Sequence, residues 1–112
     1  MKKTKTHEWV KLEGSVATVG ITEFAAKEIG DIVYIEFPKV GALLKKGEEA
    51  AILESTKAAI DTYAPLSGKV LTVNPALQAN PSLLTKEPLT NGWLYQIDVS
   101  HPEEYEEYTS LS

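Results

Sequence analysis

The chain has no cysteine, no arginine, one methionine (Met1) and two histidines in 112 residues. Without cysteine there is no disulfide, no thiol nucleophile and no thiolate metal site, so any sulfur chemistry has to arrive on an attached group. Without arginine the chain lacks the planar, bidentate donor best suited to phosphate. A net charge of −5, from 16 acidic residues against 11 lysines, is the opposite of the basic footprint of a nucleic-acid binder. No apolar run approaches the roughly 20 residues of a membrane-spanning helix. Lys2, Lys3 and Lys5 are not followed by the apolar core of a signal peptide. Neither nucleic acid nor membrane is therefore expected as a partner. The acidic balance is instead expected to steer docking onto enzymes with basic collars, mainly through association rate.

Catalytic constellations are equally scarce. His7 and His101 have no second histidine or cysteine at ligand spacing. Ser55, His7 and Asp61 can be named together as a Ser-His-Asp set, but nothing in the sequence gives them that geometry.

What is present is a run of short strand patterns separated by turn residues. Alternation and β-branched content predict strands over 10–13, 15–21, 31–37, 48–53, 58–63, 69–73 and 93–99, with Gly14, Gly41, Gly47, Gly68 and Gly92 between or beside them. Thr22, then Glu23 to Ile29, then Gly30 reads as an N-cap, a short helix and a glycine stop. Asn74 to Pro81 reads as a loose helical turn between two prolines, and a short helix is expected from about Pro102. A faint echo links Val40–Gly47 with Asn74–Leu77. Trp9 and Trp93 read as packing anchors and His7 as a surface or capping residue. The whole predicts one mainly β domain over 1–112, core about 15–100, built as a two-sheet sandwich or a flattened barrel.

The segment Glu54-Ser55-Thr56-Lys57-Ala58-Ala59 lies between two apolar strand patterns, leaving room for only a tight turn with Lys57 at its tip. The small neighbours Ala58 and Ala59 offer the lysine stem little to lie on, so the amine is expected to stand clear of the body. A lysine in a turn is also an ordinary solvated charge, and the turn lacks the Asn-Gly or Asp-Gly pair of an easily recognised hairpin. Geometry alone leaves the two readings open.

Six segments carry a resemblance that separates them: His7-Glu8-Trp9-Val10, Ala17 to Thr22, Gly30 to Tyr34, Glu54 to Ala59, Tyr63 to Gly68, and Gly92-Trp93-Leu94. In order and spacing these resemble the H proteins of the glycine cleavage system, over about His7 to Ser100. The resemblance implies a lipoyl/biotinyl-domain-like flattened β sandwich, a barrel-sandwich hybrid, with short peripheral helices. It implies that Lys57 carries lipoic acid in amide linkage, and that Glu54 and Gly68 help the lipoate-attaching enzyme recognise the hairpin. It further implies a carrier rather than an enzyme. The arm would take an aminomethyl group at glycine decarboxylase (P protein), deliver it through aminomethyltransferase (T protein), and be reoxidised by dihydrolipoyl dehydrogenase (L protein). A monomer is expected, cytoplasmic in a bacterium or in the mitochondrial matrix as a processed eukaryotic form.

For Glu54 the plain alternative is an edge-strand charge, and for Gly68 a backbone angle that only glycine tolerates. Thr56 stands where the family usually has valine, and family members usually continue beyond the equivalent of Ser112 through a further helical segment. A lipoyl or octanoyl depot for other complexes, or lipoyl-dependent protein modification, is the alternative function. A biotin carrier fits less well, because biotinylated lysines usually sit between methionines and here the neighbours are Thr56 and Ala58.

Overall fold

The computed structural model describes residues 1–111 as two facing antiparallel sheets. The strands are β1 (Lys2–Lys3), β2 (Glu8–Glu13), β3 (Val16–Ile21), β4 (Ile32–Glu36), β5 (Leu43–Leu44), β6 (Glu49–Ser55), β7 (Ala59–Tyr63), β8 (Gly68–Val73), β9 (Tyr95–Val99) and β10 (Thr109–Ser110). One sheet runs β10-β1-β2-β3-β9-β8-β5 and the other β4-β6-β7. The arrangement is a sandwich, not a closed barrel. The longer strands lie within two residues of the predicted ranges, whereas β1, β5 and β10 are too short to show an alternation.

The core is the space between the sheets. Alternate residues of β2 and β3 point into it, so Val10 meets Val19 across the pair, Leu53, Val70 and Ile97 close it from the other strands, and Leu66 closes it from the loop between β7 and β8. Helix α1 (Glu23–Ile29) covers one end with Ala26 and Ile29. It starts where the Thr22 hydroxyl accepts the Ala25 N–H at 3.2 Å and stops at Gly30, whose φ of 80° and ψ of −156° suit glycine alone. Helix α2 (Pro75–Ala79) is capped by Asn74, and α3 (Leu83–Lys86), which has no clear signal in the sequence, follows directly. The echo between 40–47 and 74–77 is not structural, since the first is strand and turn and the second a helix start.

Trp9 is the anchor its sequence suggests. It lies on the face of β2 away from the sandwich interior, 2% exposed, donating its indole N–H to the Pro88 carbonyl at 2.8 Å. Its cross-strand partner is Gly20, where a Cβ would fall 2.5 Å from the indole ring. Trp93 is only half-buried.

The short helix expected from about Pro102 is present as a 3₁₀ helix (Pro102–Glu107), and the chain then forms β10 against β1. Glu104 accepts the N–H and O–H of Ser67 at 2.7 and 2.9 Å, and the Tyr108 hydroxyl donates to the Pro65 carbonyl at 2.7 Å. Lys2 reaches the Tyr105 carbonyl at 3.1 Å with its ammonium over the Tyr105 ring. Tertiary partners therefore hold the segment in the tighter 3₁₀ form.

Gly20→Ala should lower stability by about 1–3 kcal/mol, because the indole cannot yield without exposing Trp9; a reduced urea midpoint at unchanged slope checks this. A second expectation concerns Tyr95, which is buried between the sheets. Burial, with the Glu8 carboxylate nearby, pushes its pKa up from the usual 10.0. The native state therefore keeps the proton after the unfolded chain has released it, so this contribution is present below pH 10 and lost as pH rises above it. Urea titrations should show stability falling above pH 10, and Tyr95→Phe should make that fall shallower.

Candidate functional site

Strands β6 and β7 form a hairpin whose tip is Thr56 and Lys57. Neither residue has a positive φ, so the turn is not one of the mirror-image types that need Asn-Gly or Gly. Ser55 does that work instead. Its N–H donates to the Ala58 carbonyl at 2.9 Å, while its hydroxyl oxygen accepts the N–H groups of Lys57 and Ala58, each at 3.1 Å. A side-chain oxygen thus replaces the missing second ladder bond, as serine commonly does in turns.

The tip is also tied to the body. The Thr56 N–H donates to the Asp31 carbonyl at 3.1 Å, fixing the turn to the segment between α1 and β4. Gly30 lies just before Asp31, and a Cβ there would come within 3.3 Å of Lys57 Cε. The lysine stem therefore does not stand wholly clear; it passes over the one residue in that segment without a side chain. Lys57 is exposed and has no ion-pair or side-chain hydrogen-bond partner among the described residues. Gly30 and the Asp31 carbonyl are parts of the site that sequence reasoning missed, because a helix stop explained the glycine and a carbonyl leaves no signature.

Glu54 sits on β6, the central strand of its sheet, between Tyr34 of β4 and Ala59 of β7. The edge-strand explanation for its charge is thereby overturned. Its carboxylate is exposed on the outer face, in the residue row next to the turn. Gly68 lies elsewhere. It opens β8, beyond the far end of β7 from Lys57, with five residues of strand, roughly 17 Å, between. A Cβ on Gly68 would lie 2.3 Å from the Asp98 carbonyl oxygen, so close approach of β8 to β9, not an unusual backbone angle, requires glycine there. The structure brings Glu54 and Lys57 together and leaves Gly68 apart.

A cleft of about 140 Å³ opens between α1 and β7, and Ile29, the neighbour of the Gly30 over which the Lys57 stem passes, is part of its lining. Phe24, Ile29, Leu53 and Ile60 give it apolar walls, and Glu8 and Asp61 contribute carboxylates. Asp61 is four strand residues past Lys57, about 13 Å along β7. Glu8 is 1% exposed, yet fully partnered: Thr4 and Thr6 donate their hydroxyls to one oxygen and the Tyr63 N–H donates to the other at 3.1 Å. No sequence feature singled out Glu8, because a glutamate two residues from a strand end reads as surface. His7, exposed with φ of 69°, stacks on Phe24 at the cleft mouth with ring centroids 4.7 Å apart. Among the described residues no group of three potential metal ligands occurs, and no helix is long and apolar enough to cross a membrane.

A two-sheet sandwich that fixes one unpaired lysine at the tip of a braced hairpin is the architecture of a carrier domain, which presents an attached group to enzymes. The sequence model of the family described as Glycine cleavage H-protein matches residues 1–112. The glycine cleavage system H protein of Thermotoga maritima is 53% identical over 108 residues, covering 96% of this chain and 87% of the relative. That of Endomicrobium trichonymphae is 47% identical over 104 residues, covering 93% and 84%. A crystal structure of a glycine cleavage system H protein from Mycobacterium marinum superposes with a TM-score of 0.83 at 34% identity, covering 88% of this chain and 83% of that one. The chain belongs to the glycine cleavage H-protein family, and its fold is the lipoyl-domain-like sandwich of that family.

Ser55→Ala should loosen the tip without unfolding the sheets. The amides of Lys57 and Ala58 should exchange with deuterium markedly faster, while global stability falls by no more than about 1.5 kcal/mol.

Proposed function

We propose that this protein is a lipoyl carrier of the glycine cleavage system, with the lipoyl group in amide linkage to Lys57 and no catalytic step of its own. The observation that carries the reading is an exposed, unpaired lysine held on a turn with two independent braces, the Ser55 hydroxyl and the Asp31 carbonyl. A four-carbon stem on a fixed base gives an arm that swings without its root wandering, so each enzyme meets a high effective concentration of cargo. When attached, the lipoyl group supplies the disulfide that accepts the aminomethyl unit derived from glycine and is later reoxidised.

The residues around the tip fit such an arm. The cleft walls of Phe24, Ile29, Leu53 and Ile60 suit an apolar chain, and the exposed carboxylate of Asp61 suits a cationic amine at its end. Attachment begins at this chain's own amine. Deprotonated Lys57 attacks the carbonyl carbon of an activated acyl adenylate, a C–N bond forms as the bond to phosphate oxygen breaks, AMP leaves, and the amine's proton passes to solvent. Glu54 offers the attaching enzyme a carboxylate in the row next to the turn. Gly68 contributes at one remove, by letting β8 close on β9 and so steadying the frame from which the hairpin projects. The partners on this reading are the attaching enzyme, the P, T and L proteins, and no nucleic acid or membrane; the carrier works as a monomer in the cytoplasm.

Incubation with a lipoate–protein ligase, lipoate and ATP should add one lipoyl group by intact mass, and Lys57→Ala should gain none. The modified protein should support exchange of labelled bicarbonate with the glycine carboxyl carbon at the P protein. Glu54→Gln should slow acylation by roughly ten-fold, the cost of one charged contact. An unmodified mass for the natural chain beside an active ligase would sink the proposal, and modification without exchange would replace the shuttle by a depot.

A further inference from the structure

The strand β4 breaks the alternation that every half-buried strand should keep. Its burial runs inward at Ile32, outward at both Val33 and Tyr34, and inward again at Ile35. The cause is a β-bulge: pairing with β6 slips between Ile32 and Tyr34, so two consecutive side chains face the same way. Val33 is 58% and Tyr34 55% exposed, large apolar surface that the fold does nothing to cover. Bulges re-aim side chains, and this one aims an aromatic ring into the row that holds Glu54, two residues short of the turn and about 7 Å from it along the strand.

Charge completes the patch. Glu36, also on β4, is exposed, and neither Glu36 nor Glu54 has an ion-pair or side-chain hydrogen-bond partner among the described residues. An uncovered ring flanked by two unpaired carboxylates suits a guanidinium, which stacks on the one and pairs with the others. This chain has no arginine to supply it.

We propose that Val33, Tyr34, Glu36 and Glu54 form the docking surface for the enzyme that acylates Lys57, met on its side by an arginine-bearing basic rim. The proposal rests on the reading of Lys57 as an acylation site. Geometry selects this partner over the enzymes that act later. An attaching enzyme has to bring the lysine nitrogen itself to an activated acyl carbon, so it has to rest on the surface beside the turn, where Tyr34 and Glu54 lie and from which Glu36 continues two residues along β4. An enzyme that works on the arm's far end has no such requirement. Tyr34 is a positioning residue on this view: it seats the enzyme and does not touch the reacting atoms.

The test is steady-state acylation by a lipoate–protein ligase with lipoate and ATP, read by intact mass. Tyr34→Ala should raise KM for the carrier about ten-fold with kcat within about two-fold, as expected for loss of one interface anchor. Tyr34→Phe should stay near the natural protein, because the ring and not the hydroxyl meets the cation. Glu36→Lys should raise KM further and flatten its dependence on salt. Leu71→Ser, a comparable exposed apolar residue on the other sheet, should change nothing. Acylation of Tyr34→Ala and Glu36→Lys at the natural KM, with the natural chain fully modified, overturns the docking surface and leaves the carrier function intact. Unchanged acylation with impaired exchange at the P protein overturns it too, by giving the patch to a different enzyme. Failure of the natural chain to be modified at all overturns the carrier reading, and the surface with it.

Discussion

The carboxylate of Glu8 is the only charged side chain among the described residues that is withdrawn from water. Removing an ion from water costs several kcal/mol unless donors replace the hydration shell. Here two threonine hydroxyls and one backbone N–H do so. Two of those donors precede Glu8 in its own strand region, whereas the third belongs to Tyr63 at the end of β7. The carboxylate therefore spans the seam between the two sheets. Its bonds fix where the far end of β7 lies, and the near end of β7 is the turn that carries Lys57. The same group lines the cleft between α1 and β7, so one desolvated charge both registers the hairpin and sets the electrostatic character of that space.

From that seam the rest of the tip is assembled locally. Helix α1 ends at Gly30 because the backbone there leaves the helical region, into a conformation that glycine alone adopts readily. The unusual backbone at Gly30 orients the Asp31 carbonyl toward Thr56, and the absent side chain leaves room for the lysine stem. Ser55 then closes the hairpin without any left-handed residue. A short helix that makes no bond to the lysine is in this way part of the mount on which the arm is set.

The periodic parts of the molecule were legible in the sequence. Strands of five residues or more announce themselves by alternation or β-branched content, and Thr22 and Gly30 bracket α1 to the residue. Lys57 was legible as a turn residue, and its chemistry only through family resemblance. What could not be read has physical reasons. The two-residue strands β1, β5 and β10 exist because partners lie beside them, not because their residues favour extension. The helix at Pro102–Glu107 takes its 3₁₀ form from contacts of Glu104, Tyr105 and Tyr108 that only the folded chain supplies. Glu8 reads as a surface charge just ahead of the predicted strand, and Gly68 serves a backbone contact with Asp98 that is remote along the chain.

The irregularity in β4 has a second effect. A strand at the rim of a sheet, bearing apolar residues toward solvent, is a ready template on which another molecule can add its own strand. The slipped register at Val33 spoils the flat, evenly spaced row of peptide groups that such templating needs. An aromatic ring can therefore stay uncovered beside an edge that offers no regular ladder for a foreign strand to join.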